Sequence, residues 1–151
     1  MFKKILFAFD GSNASTKAVK YAIHLALLEN SDLIFIHVIE NIKQGGVIGL
    51  RAKYGDMKLV NAYTKTRIKN AQEWIKPIEK SAKDKGIKTR VEILEDDSNS
   101  LIGFLINFAE KNKVDLIVIG TRGISKFKRL LMGSVASGIV HHSKCPVLLI
   151  K

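Results

Sequence analysis

Val114-Asp115-Leu116-Ile117-Val118-Ile119-Gly120-Thr121-Arg122-Gly123 is the stretch on which the reading of the chain turns. Its apolar run is short and rich in branched side chains, the composition of a strand buried on both faces. It opens at once into a glycine-bearing loop. Nine residues separate Gly123 from Gly133-Ser134, which opens a helical pattern over 134–142. Glycines lack a Cβ, so backbone N–H groups can approach an anion closely. A helix entered through Gly-Ser presents unpaired N–H groups and a partial positive charge, which suits phosphate. Arg122, Lys126, Lys128 and Arg129 lie in the same loop, and no acidic residue accompanies them.

The same alternation continues outward from this unit. Ile5-Leu6-Phe7-Ala8-Phe9 predicts a buried strand that ends in the turn Asp10-Gly11-Ser12. Residues 13–29 carry Ala14, Ala18, Ala22, Leu25 and Ala26 on one helical stripe. Ser12 or Asn13 is placed to cap that helix. Residues 33–39 read as another buried strand, and 41–58, with its glycines, as a long loop. From 59 to 85 the pattern is helical, with Ile68, Ala71, Ile75, Ile78 and Ala82 on one face. Pro77 lies inside it and predicts a kink or break, because proline lacks the N–H and clashes with the preceding turn. Gly86 is the expected stop. Residues 88–94 alternate polar and apolar, as a half-exposed edge strand does. A turn over 95–99 leads into a helix over 100–112, and 146–150 forms the last strand. Strands alternating with helices predict a parallel sheet with helices on both faces. Ligands of such sheets sit at the carboxyl ends of the strands, where strand order reverses.

With 151 residues, 46% hydrophobic and 26% charged, the chain fits one globular domain spanning 1–151. Cys145 is its only cysteine, which excludes an intrachain disulfide and a cysteine zinc cage. A reducing, cytoplasmic setting is the expectation. The apolar run near the start has five residues, short of the ~7–15 of a signal core. A soluble protein without a membrane span is expected. The net charge of +11 is the unusual quantity and calls for an anionic partner.

Gly120-x-x-Gly123, nine residues and Gly133-Ser134, set between Val-Asp-Leu-Ile-Val-Ile and a closing Ser-Lys-Cys-Pro-Val-Leu-Leu-Ile, resembles the universal stress protein family in its ATP-binding branch. The opening Lys-Ile-Leu-Phe-Ala-Phe-Asp-Gly-Ser and the His37-Val38 pair resemble it too. The resemblance covers the whole chain and is weakest over 41–59. It implies an open five-stranded parallel sheet in the order 3-2-1-4-5, a Rossmann-like fold of the adenine nucleotide alpha hydrolase type, and a homodimer. It implies that Asp10 lies beside the ribose or a Mg²⁺ ion, and that Val38 meets adenine through its backbone. Gly120, Gly123, Gly133, Ser134 and Val135 would surround ribose and phosphates, with Ala8, Arg122 and Met132 completing the site. The turn Glu95-Asp96-Asp97 lacks the glycine often found there, and its carboxylates oppose a phosphate unless they point away or face a cation.

Other residues read more plainly. His37 is expected to be a satisfied strand histidine, Cys145 packed and inert, and Trp74 part of a helix face. His141 and His142 close the last helix, where positive charge suits the dipole. Residues 41–92 hold 13 Lys plus Arg against 5 Asp plus Glu. Lys65, Arg67, Lys69, Lys76, Lys80 and Lys83 mostly flank the apolar stripe and read as a solvated face, which disfavours nucleic acid. The strand over 147–150 is apolar and, in the implied order, at an edge, so a second copy is expected to pair with it. The leading reading is an ATP-binding regulatory protein with no assigned catalytic residue and an unidentified protein partner. The alternatives are a slow Mg²⁺-dependent ATPase and a basic nucleic-acid-binding domain.

Overall fold

A computed structural model describes residues 1–40, 46–96, 98, 100–121 and 132–151. Its elements run β1 (Lys4–Ala8), α1 (Asn13–Glu29), β2 (Asp32–Glu40), α2 (Gly46–Lys53), α3 (Met57–Lys83), β3 (Thr89–Asp96), α4 (Leu101–Lys111), β4 (Leu116–Gly120), α5 (Ser134–His142) and β5 (Val147–Ile150). The five strands form one sheet in the order β3-β2-β1-β4-β5, every pairing parallel. This is the expected α/β architecture. β1 lies at the centre, pairing Leu6 with Ile34 on one side and with Ile117 on the other. The chain winds from β1 toward β3 and then returns to lay β4 and β5 on the opposite side. The crevice where that reversal occurs is at the carboxyl ends of β1 and β4.

Strand side chains alternate between two cores, as a period of two requires. Ile5, Phe7, Leu33 and Phe35 face α1 and α3, where Ala18, Ala22, Ile75 and Ala82 meet them. Leu6, Ile34, Ile36, Ile117 and Ile119 face α4 and α5, against Leu105, Ala109, Ala136 and Ile139. Phe7 and Phe35 pack edge to face at 6.0 Å. Each such fully buried side chain stabilises the fold by ~1.5–3 kcal/mol. At the opposite end of the sheet the Asp115 carboxylate accepts from the Lys3 and Lys4 N–H groups at 2.8 and 2.9 Å, tying the start of β1 to that of β4.

Four expectations need correction. The segment read as a long loop contains α2, which packs on α3; Gly46 and Gly49 weaken the helical pattern without forbidding it. The next helix starts at Met57, where the Asp56 carboxylate accepts from the Leu59 N–H at 3.3 Å. Pro77 does not break it. α3 continues through the proline because Ala71, Ile75 and Ala82 anchor it on both sides, which outweighs one lost backbone bond. Finally, β3 extends to Asp96, so the strand takes in two residues of the predicted acidic turn. α3 ends at Lys83, and Gly86, with φ +82, closes the turn that stops it: its N–H reaches the Lys83 carbonyl at 2.8 Å while that of Ile87 reaches Ala82 at 3.1 Å.

Candidate functional site

A cleft of about 280 Å³ opens at the carboxyl ends of β1, β2 and β4. Ala8, Asp10, Val38, Gly120, Gly133, Ser134 and Val135 all line it. These come from four separate parts of the sequence reading. Met132 packs instead against the core beneath α4 and α5. Arg122 and Gly123, with Lys126, Lys128 and Arg129, lie outside the described residues. The cleft floor is apolar, built by Ile36, Leu101, Leu105, Val135 and Ala136.

Gly120 is a glycine for a reason within the fold. A Cβ there would stand 2.9 Å from the Ala14 carbonyl carbon and 2.9 Å from the Ser15 nitrogen. The first turn of α1 therefore lies directly on the end of β4, and both close one side of the cleft. Ser12 fixes that turn: its hydroxyl accepts from the Ser15 N–H at 3.1 Å. The Ser12 N–H in turn donates to Asp10 Oδ1 at 2.9 Å, which orients the carboxylate. Gly11, between them, has φ +78 and lies beneath the Trp74 ring, 3.0 Å from where its Cβ would be.

On the other side of the crevice, the Gly133 N–H donates to the buried Thr121 carbonyl at 2.7 Å. This bond joins the two ends of the glycine segment. α5 then begins without any side-chain cap, whereas Ser12, Asp56 and Ser100 cap α1, α3 and α4. The first-turn N–H groups of α5 thus open on the cleft with the positive end of the helix.

His37 and Arg67 are pocket residues that the sequence reading set aside. His37 is 6% exposed, its Nδ1 donating to the Phe9 carbonyl at 2.7 Å, with Trp74 edge-on at 6.0 Å. Burial holds its pKa below the usual histidine value; the Phe9 bond and the Asp10 charge oppose this, and the Arg67 charge adds to it. His37 is therefore a satisfied histidine, as expected, but it also forms part of the cleft wall. Arg67 lines the same wall from α3, with Glu40 nearby. Its position was legible: Val60, Arg67, Ala71, Ile75, Ile78 and Ala82 keep one helical stripe, so Arg67 stands where an apolar residue belongs. Asp96 is turned away, buried and bound by the Ser98 N–H at 2.8 Å and by the Ser98 hydroxyl. Among the described residues no three His, Cys, Asp or Glu side chains gather as a metal site, and no helix is long and apolar enough to cross a membrane.

The family model that describes the universal stress protein family matches residues 1–151. The chain belongs to the universal stress protein family. It is 36% identical to universal stress protein MJ0531 of Methanocaldococcus jannaschii, over its own whole length and 83% of that protein. Among solved structures of the fold, that of MJ0577 from the same organism superposes with a TM-score of 0.81 at 26% identity, covering 100% of this chain and 96% of the other. A universal stress protein of Archaeoglobus fulgidus, solved in complex with dAMP, shares the fold at 20% identity and TM-score 0.64, covering 100% and 98%.

Two outcomes follow for this universal stress protein. Gly120→Ala should lower the stability of the protein without any ligand by about 1–3 kcal/mol, the usual cost of overpacking; urea unfolding measures it, and an unchanged midpoint would assign the glycine to ligand contact alone. His37, with its folded pKa below its unfolded value, contributes stability that is complete above about pH 6.5 and is lost as the pH falls below it, by at most ~1.4 kcal/mol per pH unit. His37→Asn keeps a donor for Phe9 and cannot titrate, so its stability should fall less steeply between pH 6.5 and 5.

Proposed function

We propose that the cleft binds an adenine nucleotide, ATP in the leading case, and that this universal stress protein acts by nucleotide-dependent regulation. The observation that carries the reading is the uncapped N-terminus of α5 opening on an apolar cleft at the strand-order reversal. Phosphates fit at Gly133, Ser134 and Val135, where N–H donors and the helix dipole favour negative charge. The base fits on the apolar wall of Ile36, Val38, Leu101 and Leu105. The carboxylates of Asp10 and Glu40 keep phosphates away from that end and suit ribose hydroxyls or an exocyclic amine. The complex of the Archaeoglobus protein with dAMP supports an adenine nucleotide as the ligand of this fold.

A Mg²⁺ ion is usually held by one or two carboxylates and the substrate phosphates. Asp10 has one carboxylate oxygen on Ser12 and a second for such a role, so the ion fits only together with the nucleotide. The pocket side chains support binding over turnover: the Ser15 hydroxyl is spent on the Ser12 carbonyl and His37 Nδ1 on Phe9. A slow ATPase remains the second enzymatic reading, built on Asp10 and Ser134. The lysines of α3 support a solvated face over a nucleic-acid surface, since Lys80 and Lys83 pair with Asp84 and Glu79 of the same helical segment, each at 2.6 Å.

The two sheet edges differ in a way that bears on assembly. β3 carries Arg90, Glu92 and Glu95, whereas β5 reads Val147-Leu148-Leu149-Ile150 without a charge. A charged edge resists pairing and a bare apolar edge invites it. A homodimer through β5 follows from this reading, in the cytoplasm.

Protein denatured as purified, or after incubation with ATP and desalting, should release an adenine nucleotide identifiable by mass spectrometry; failure to retain or titrate any would end the reading. Light scattering in dilute solution should give the mass of two chains, and a lysine at Leu148 should shift it to one; a monomeric parent protein would remove the dimer.

A further inference from the structure

Arg67 is an unusual residue for its position. It occupies the sheet-facing stripe of α3, four residues before the buried Ala71 and eight before the buried Ile75. Its side chain is half-buried and lines the cleft. Among the described residues it makes no ion pair and no hydrogen bond; the Tyr63 ring lies 6.0 Å from its guanidinium carbon. Asp10 and Glu40 line the same cleft, and neither forms an ion pair with it among the described residues. A guanidinium taken partly out of water with only one ring face beside it, and no anion or hydrogen-bond acceptor among the described residues, costs stability that an apolar residue there would not. The arrangement is explained if a ligand completes it.

The end of the cleft at which Arg67 stands limits what that ligand group is. Arg67 lies close enough to His37 for its charge to act on the imidazole, so it belongs to the β2 end. The helix N-terminus that draws phosphate is at the α5 end, and Glu40 disfavours phosphate beside Arg67. Ile36 and Val38 of β2 give this end an apolar surface beside the charges. A planar, weakly hydrated cation beside an apolar slot matches the face of an aromatic ring.

We propose that Arg67 stacks its guanidinium on the base of the bound nucleotide, making it a base-recognition residue that lies outside the glycine motif. This rests on the nucleotide reading above. The test is calorimetric titration of the full chain with AMP, ADP and ATP, for the parent protein, Arg67→Met and Arg67→Lys. Arg67→Met should weaken all three nucleotides by the same factor, about tenfold, the scale of a desolvated cation–π contact. Arg67→Lys, which keeps the charge and loses the plane, should stay weak. Without nucleotide, Arg67→Met should be as stable as the parent or more so, because it removes an unpaired charge.

A loss that grows from AMP to ATP would make Arg67 a phosphate contact and overturn the proposal. Full recovery with lysine would reduce the residue to a point charge, with the same consequence. Equal affinities in the parent and Arg67→Met would overturn this inference alone and leave the nucleotide reading standing. A parent protein that binds none of the three would overturn both.

Discussion

The contact between the first turn of α1 and the end of β4 is the constraint on which the site depends. Gly120 leaves room for the Ala14 and Ser15 backbone, and any side chain there would push the two apart. That contact brings the turn after β1 and the segment after β4 to opposite banks of one crevice. Asp10 is then set by the Ser12 N–H, and α5 is set by the Gly133 bond to Thr121. Small residues at Ala18, Ala22 and Ala26 let α1 lie close to the sheet for its whole length. At Gly120 the glycine motif is therefore a packing device, whatever else it does. Gly120 serves the close approach of two segments, the end of β4 and the first turn of α1. Gly133 has an ordinary extended conformation, φ −69 and ψ 157, and leaves α5 uncapped.

Charge in the cleft is arranged rather than merely positive. Two carboxylates, one guanidinium and a histidine whose pKa burial lowers share the end nearest β2. The α5 end offers N–H groups and a helix dipole. The excess of +11 over the chain says little of this. Most of it lies on exposed faces, where water solvates it and neighbouring acids on α3 offset part of it. Only charges that face the cleft bear on which ligand enters.

Much of the architecture was legible because the strands are buried on both faces and read as plain apolar runs. β1, β2 and β4 are of that kind, β5 is an equally plain apolar run though only partly buried at its edge, and the alternating β3 announced its place at the other edge. Helix α2 was hidden because it packs chiefly on α3, away from the sheet, so no core-facing stripe marks it. The course of α3 through Pro77 was hidden because the anchoring comes from tertiary contacts of Ile75 and Ala82, which outweigh a local rule. In the site, residues next to strand ends were found from motif and placement. Arg67 was not, because a cation among flanking lysines looks solvated until its stripe is counted. His37 was read correctly as satisfied, yet nothing in a lone strand histidine tells that the pocket wall passes it.

The central claim is that one cleft takes the nucleotide with its phosphates at α5 and its base at β2. Backbone amide chemical shifts followed through an ATP titration test this residue by residue. The account predicts that the largest changes fall on Val38, Gly120, Gly133, Ser134 and Val135, with Trp74 and the lysine face of α3 little affected. Changes spread over Lys65, Lys69, Lys76 and Lys80 with a silent α5 N-terminus would contradict it, and would return the charge of this chain to the role of a general polyanion surface.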